Sequence, residues 1–176
     1  ATRALNGHRP APSRVFDVSQ RTGAARIVVL GSGFGGLAAA RELGALAKGD
    51  PGYEILLIDQ HNFHLFTPLL YQVATGLVGP DHTVYPVRSI ARQHGFAFRE
   101  SVVQSIDPER KEVLTDDGPI PYDYLIIALG SVTNYFGTPG AEEHALTLKT
   151  LRDGIALRNR FNDCFERAEE ARTKEE

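Results

Sequence analysis

The stretch Ile27-Val28-Val29-Leu30-Gly31-Ser32-Gly33-Phe34-Gly35-Gly36 decides how this chain is read. Its first four residues are apolar and three of them are β-branched, the pattern of a strand buried on both faces of a parallel sheet. Gly31, Gly33 and Gly36 then fit G-x-G-x-x-G, and Leu37 to Ala47, rich in Ala and Leu, continues as a helix. Gly49-Asp50-Pro51-Gly52 breaks that helix. Glu54 to Ile58 is a second apolar strand, closed by Asp59, which stands 23 residues after Gly36. Glycines alone cluster by chance; placed in a strand–turn–helix–strand unit with an acid at its end, they are the signature of dinucleotide binding. Gly31 permits the tight turn, Gly33 lets a pyrophosphate approach the backbone, and Gly36 lets helix and strand pack closely. The helix N-terminus offers free N–H groups and the positive end of its dipole to the phosphates. Asp59 can accept hydrogen bonds from both hydroxyls of an adenosine ribose and repels a 2′-phosphate. The blander alternative is a glycine-rich turn without a ligand and an ordinary acid at a strand end. The fingerprint by itself does not separate FAD from NAD.

Downstream, Gln60 to Val84 reads as irregular, with aromatics and prolines, and Pro86 to Gln93 as a short helix. Phe96 to Ile106 reads as one strand and Glu112 to Thr115 as another, followed by the turn signal Asp116-Asp117-Gly118. Tyr122 to Leu129 is a further apolar strand leading into Gly130-Ser131. From Leu148 the chain reads as helix, with Leu157, Phe161, Cys164, Phe165, Ala168 and Ala171 on one stripe and no stop signal at Glu175-Glu176. Upstream, Ala1 to Ala25 has no sustained period and reads as a flexible arm. The expected fold class is α/β: a Rossmann-like dinucleotide-binding fold with a parallel sheet, a βαβ unit and an antiparallel β-meander.

The composition sets limits. The 176 residues carry 42% hydrophobic and 23% charged residues and a formal charge of −3, an ordinary globular balance with no basic excess to hold nucleic acid. The longest stretch without Asp, Glu, Lys or Arg, Gln60 to Pro80, contains His61, Asn62, His64, Pro68 and Gln72, and so does not read as a bilayer span. The segment is expected to be soluble by itself. One cysteine, Cys164, excludes an internal disulfide framework and a multi-cysteine metal site. No metal site is expected: His61 and His64 are three residues apart with no third ligand nearby, which favours hydrogen-bonded structural roles. Cys164, on an apolar helical stripe, is expected to be a packed thiol. Arg88 is expected to form a salt bridge. Phe63, Phe66 and Tyr71 are candidate core aromatics.

The later segments narrow the choice of dinucleotide. A plain NAD-binding half would continue with a second βα crossover, whereas this chain runs into Phe63 to Gln72, then antiparallel strands, then Tyr122 to Ser131. That order resembles the FAD-binding part of two-dinucleotide flavoprotein reductases. The last strand resembles their second FAD motif; the threonine common before its glycine is Leu129 here, which keeps the turn and lacks the hydroxyl. Ile27 to Gly36, Asp59, His64 to Ala74, Asn134-Tyr135-Phe136-Gly137 and Leu151 to Phe161 together closely resemble a type II NADH dehydrogenase, a single-subunit, non-pumping NADH:quinone oxidoreductase. The resemblance runs from Arg26 to the end of the chain.

The resemblance implies FAD as the bound cofactor and NADH as substrate of the whole enzyme. Beyond Gly31, Gly33, Gly36 and Asp59, it implies cofactor contacts from Phe34, Gly35, Gln60, Thr67, Pro68, Leu69, Val103, Ala128 and Gly130. Pro68 sets a rigid turn beside the flavin, near where quinone arrives. It names no catalytic side chain, because flavin carries the redox chemistry. The family's second glycine fingerprint for NADH, a later flavin-facing strand, quinone-facing glutamines and C-terminal amphipathic helices do not occur in these residues. The chain is therefore expected to be the N-terminal portion of a longer enzyme and inactive alone: an arm at 1–25, the first part of an FAD domain at 26–147, and a helix at 148–176 leading towards an NADH domain. The whole protein is expected to sit on the cytoplasmic side of a membrane as a peripheral protein, with quinone and NADH as partners and homodimerisation open. Sulfide:quinone reductases share this architecture but use a cysteine pair, which one cysteine cannot form. Two alternatives stand: another pyridine-nucleotide-dependent flavin reductase, or a non-catalytic dinucleotide-binding module.

Overall fold

The computed structural model describes residues 23–175; the expected arm thus falls almost wholly outside the described residues. Strand β1 (Ala25–Leu30) leads through the glycine loop into helix α1 (Phe34–Leu46) and strand β2 (Tyr53–Asp59). Strand β3 (Phe63–Leu65), a 3₁₀ turn at Thr67–Leu69 and helix α2 (Leu70–Ala74) follow. Strand β4 (Val84–Pro86) pairs antiparallel with β3 and leads into helix α3 (Val87–His94). Strand β5 (Ala97–Glu100) precedes a three-stranded meander, β6 (Val103–Asp107), β7 (Glu112–Thr115) and β8 (Gly118–Pro121). Strand β9 (Tyr124–Ile127), the short helix α4 (Ala141–His144) and the long helix α5 (Leu151–Glu175) complete the order.

The central sheet has the order β5-β2-β1-β9, and every pairing in it is parallel. Side chains alternate across a strand, so each of the two middle strands supplies both cores. Val28, Leu30, Leu56 and Ile58 face the meander, where Val113, Ile120 and Tyr122 complete one buried cluster. Val29, Ile55 and Leu57 face the helices, where Leu37 and Ala40 of α1, Val87 and Ala91 of α3, and Phe96 complete the other. This two-sided burial is why β1 and β2 read as unbroken apolar runs. Each fully buried side chain of this size contributes about 1.5–3 kcal/mol relative to exposure. At the other end of the sheet from the glycine loop, buried Arg26 places its Nε 2.9 Å from Glu54 Oε2 on the neighbouring strand.

The α/β class, the parallel sheet and the meander agree with expectation; several boundaries do not. The run from Phe96 to Ile106 is two strands in two sheets. Ser101 N–H donates to the Asp59 carbonyl at 2.9 Å, ending the parallel pairing. Asp116 Oδ1 then accepts from Ser101 Oγ (2.5 Å) and from Val102 N–H (2.8 Å), turning the chain into the meander. Those hydrogen bonds hold the Asp116 carboxyl below its ordinary value, with Ser101 the leading cause. Gln60 to Val84 is more ordered than its composition suggests, because the β3–β4 pairing and α2 lie within it. Tyr122 to Leu129 yields a strand of four residues only.

Helix α5 starts on a capping box: Thr150 Oγ1 accepts from Asp153 N–H, while Asp153 Oδ2 accepts from the N–H groups of Lys149 and Thr150. Burial works against ionisation of Asp153, but these donors and the Thr147 hydroxyl outweigh it and lower the pKa. The first turns of α5 rest on α2, with Gly154 against Val73 and the Leu70 carbonyl. From Phe161 to Arg172, every residue of α5 is exposed, Phe165 at 74%. The expected packed thiol is corrected accordingly: Cys164 is exposed. The stripe exists as a helical face, but only its first residue, Leu157, is half-buried; Phe161, Cys164, Phe165, Ala168 and Ala171 are exposed.

Candidate functional site: the glycine loop at the carboxyl ends of the parallel strands

The C-terminal ends of β1, β2, β5 and β9 lie together at one edge of the sheet. The chain leaves β1 towards β2 on one side, while β9 sits on the other, so β1 ends at a topological switch point. Open α/β sheets place their ligands there. Gly31 N–H donates to the Ile58 carbonyl at 2.8 Å, and Ala128 N–H to the Leu30 carbonyl at 2.8 Å, so the loop springs from between β2 and β9.

The three fingerprint glycines divide by what demands them. Gly31 has φ +96°, and a Cβ there would strike the Ala128 carbonyl. A Cβ at Gly36 would collide with the Gly31 carbonyl oxygen. Both are required by the fold. Gly33 is different: it is exposed, its φ of −67° and ψ of −170° are open to any residue, and a Cβ on it meets nothing within 4 Å. Gly33 is also the N-cap of α1, which has no side-chain cap and no acidic residue in its first turn. That turn thus has no side-chain cap for its N–H groups, and beside it stands a residue that has no bulk. Phe34 and Gly35, both exposed, lie in the same turn.

Asp59 ends β2 beside the loop. Its Oδ2 accepts from Ser32 N–H (2.5 Å) and Ser32 Oγ (2.9 Å), and its Oδ1 accepts from His61 N–H (2.8 Å). The His61 ring nitrogen Nδ1 also lies 3.5 Å from Oδ1. His64, buried, places Nδ1 2.8 Å from the Ser32 carbonyl oxygen. Its ring meets Phe34 edge-on at 5.0 Å, and Phe34 meets Phe66 at 5.5 Å. The structural role expected for His64 agrees with this geometry, and no cluster of three or more metal-ligating side chains occurs among the described residues.

The remaining candidates fall into two groups. Gln60 is exposed next to Asp59, and Ala128 flanks Gly31, Gly35 and Gly36; Gly130, exposed with φ +77°, follows β9. Val103 opens β6, half-buried against the meander core, three residues beyond the Glu100 that pairs with Asp59. Thr67, Pro68 and Leu69 form the 3₁₀ turn that follows β3, Thr67 and Pro68 exposed. Tyr71 is exposed, not a core aromatic, and its hydroxyl accepts from Gln72 Nε2. Arg88 lies 3.4 Å from Glu100 and over the Phe98 ring, an exposed pair worth little energetically. Sequence reasoning passed over Ser32, which touches both Asp59 and His64. Its place between two fingerprint glycines was the available signal.

A family model of pyridine nucleotide-disulphide oxidoreductases matches residues 25–168. Among curated relatives, a mitochondrial external alternative NAD(P)H-ubiquinone oxidoreductase of Arabidopsis thaliana is 37% identical over 154 residues, covering 81% of this chain and 26% of the relative. A type II NADH:quinone oxidoreductase of Mycobacterium tuberculosis is 39% identical over 149 residues, covering 82% of this chain and 31% of the relative. The chain thus spans roughly a quarter to a third of the length of such relatives. Among solved structures, NDH2 of Plasmodium falciparum bound to NADH superposes with a TM-score of 0.69 at 28% identity, over 82% of this chain and 30% of that one. The sulfide:quinone oxidoreductase of Aquifex aeolicus gives 0.70 at 28% identity, over 81% and 33%. The strand–glycine loop–helix unit, the switch-point site and these matches coincide: the chain belongs to the pyridine nucleotide-disulphide oxidoreductase family, and curated relatives that it matches are NAD(P)H:quinone oxidoreductases.

Proposed function

We propose that this chain is the FAD-binding portion of an NADH:quinone oxidoreductase. The observation that carries the reading is Gly33: the fold makes no demand for glycine there, yet it caps an uncapped helix N-terminus that faces open space. A ligand that must approach the backbone explains it, and a pyrophosphate suits the N–H groups and the dipole. When bound, the flavin supplies two-electron chemistry between a hydride donor and quinone. The chain's own part is to hold it. Gly31, Gly33, Phe34, Gly35 and Gly36 form the phosphate cradle, and Asp59, with Gln60 beside it, receives the hydroxyls of the adenosine ribose. Val103 borders the adenosine end. Ala128, Gly130 and the turn at Thr67, Pro68 and Leu69 border the path towards the flavin ring. No side chain in this set is assigned a proton transfer.

The choice of FAD rather than NAD rests on the meander between β5 and β9: the chain does make a second βα crossover, β2–α3–β5, against expectation, and the meander stands where a third would run. The domain reading follows: residues 26–147 form the first part of the FAD domain, and 148–176 lead towards an NADH-binding domain. NADH and quinone are then handled by the whole enzyme, as are docking on the cytoplasmic face of a membrane and any homodimerisation. No helix among the described residues is long and apolar enough to cross a membrane.

An absorption spectrum of the purified chain, with and without added FAD, tests the cradle. Flavin bands with FAD released on denaturation are expected. Retention of NAD and no uptake of FAD would overturn the flavin reading in favour of a nicotinamide module.

A further inference from the structure

We propose that His64 is a positioning residue for the phosphate cradle, holding the glycine loop through the Ser32 carbonyl; the inference rests on the cofactor reading above. Ser32 is 3% exposed and stands between two glycines, whose permissive backbones do little to fix the loop. Neither of its backbone polar groups is satisfied by a regular strand or helix ladder. The N–H donates to Asp59 Oδ2, and the C=O accepts from His64 Nδ1. Two side chains from different strands, β2 and β3, therefore clamp one residue of the loop from both sides. The Ser32 hydroxyl adds a second bond to the same Asp59 oxygen. The cradle and the ribose-facing acid thus form one connected unit whose far anchor is His64.

The clamp dictates a tautomer. The Ser32 carbonyl can only accept, so Nδ1 of His64 must carry the proton, whatever the state of Nε2. The ring is fixed in place as well: it is 7% exposed and meets Phe34, the first residue of α1, edge-on. His64 therefore touches both the loop and the helix turn whose N–H groups form the cradle. Without it, the buried Ser32 carbonyl loses its donor, and the loop gains a reason to turn towards water. The cost falls on phosphate binding, because that binding needs the N–H groups already aimed.

The test uses the chain as it stands, with His64→Leu and His64→Asn beside the wild type. Asn can place an amide N–H near the position of Nδ1, whereas Leu has no donor. FAD and ADP are titrated against each, thermal melting is recorded without ligand, and the His64 ring is read in the wild type by long-range ¹H–¹⁵N NMR. The expected results are a protonated Nδ1, an FAD Kd raised about tenfold in His64→Leu, and recovery to within about threefold in His64→Asn. ADP affinity should fall in parallel, since the cradle serves the shared diphosphate. A His64→Leu chain that melts lower but binds FAD like the wild type would reduce His64 to a packing residue and overturn the proposal. A neutral ring protonated only at Nε2 would also overturn it. If the wild type binds neither FAD nor ADP, the cofactor reading falls and takes the assigned purpose of His64 with it. Binding by the wild type that His64→Leu leaves intact removes the His64 proposal alone.

Discussion

The two sides of strand β1 are finished to different degrees. Towards β2, the glycine loop is tied in on every side: Gly31 to Ile58, Ser32 to Asp59 and His64, and α1 against β2 and α3. Towards β9, the chain leaves surface open. Strand β9 ends the sheet order, and Tyr124, Ile127 and Leu129 are all more than half exposed, with Val132 at 89% and Phe136 at 87% just beyond. The far part of α5 is exposed in the same way. The contrast teaches that the phosphate end of the site is built by the chain's own residues. The other end presents apolar surface that they do not cover, in a chain that spans 26% to 31% of the relatives named above.

The sharpest way to break the finished side is Gly36→Val. Its side chain would occupy the space of the Gly31 carbonyl, which is backbone and cannot swing away. A loss of about 3 kcal/mol or more is expected in urea unfolding, at the upper end for overpacking. Gly33→Val should separate fold from binding. Stability should fall by no more than about 1 kcal/mol, the cost of Val for Gly at an N-cap, because a Cβ there meets open space. Flavin retention should be abolished, since the same atoms stand where a pyrophosphate must lie. A variant that still held stoichiometric FAD would show that the cradle lies elsewhere.

Smaller effects are expected where α5 begins. Asp153→Ala removes half of the capping box and should cost about 1 kcal/mol, visible as fraying of the N-terminal turns of α5 in amide exchange. The same carboxylate gives a pH signature together with Asp116. Both are held below their ordinary value in the folded chain, so both contribute stability that is present above that value and is lost as pH falls through the folded pKa. A melting temperature that declines on acidification below about pH 4, and less steeply in Asp116→Asn with Asp153→Asn, is the expected outcome. The smallest effect belongs to the open side. Val132→Ser should leave the stability of this chain within about 0.5 kcal/mol, because the side chain has almost nothing to lose. A larger loss would mean that Val132 is already covered in solution.

What the sequence determined by itself was whatever depends on local pattern. The unbroken apolar run of β1, the glycine spacing and the helix after it follow from strand burial and turn sterics, and all three stand where the pattern put them. The turn at Asp116-Asp117 before Gly118, the helix after Pro86 and the salt bridge of Arg88 were legible for the same reason. The tertiary structure decided what depends on which distant residue arrives. Whether Phe96 to Ile106 is one strand or two is settled by the Asp116 carboxylate, fifteen residues from Ser101, and no local propensity encodes that. The apolar stripe on α5 has the period of a buried face, but period specifies only a side of a helix, and burial requires a second surface that the described residues do not bring. Asp59 was legible as an acid at a strand end. That Ser32 gives two hydrogen bonds to its Oδ2, and that His64 holds Ser32 from the other side, required the fold to bring β1, β2 and β3 to one point. Hydrogen bonds between side chains about thirty residues apart leave no periodic trace, so that part of the site appears only in three dimensions.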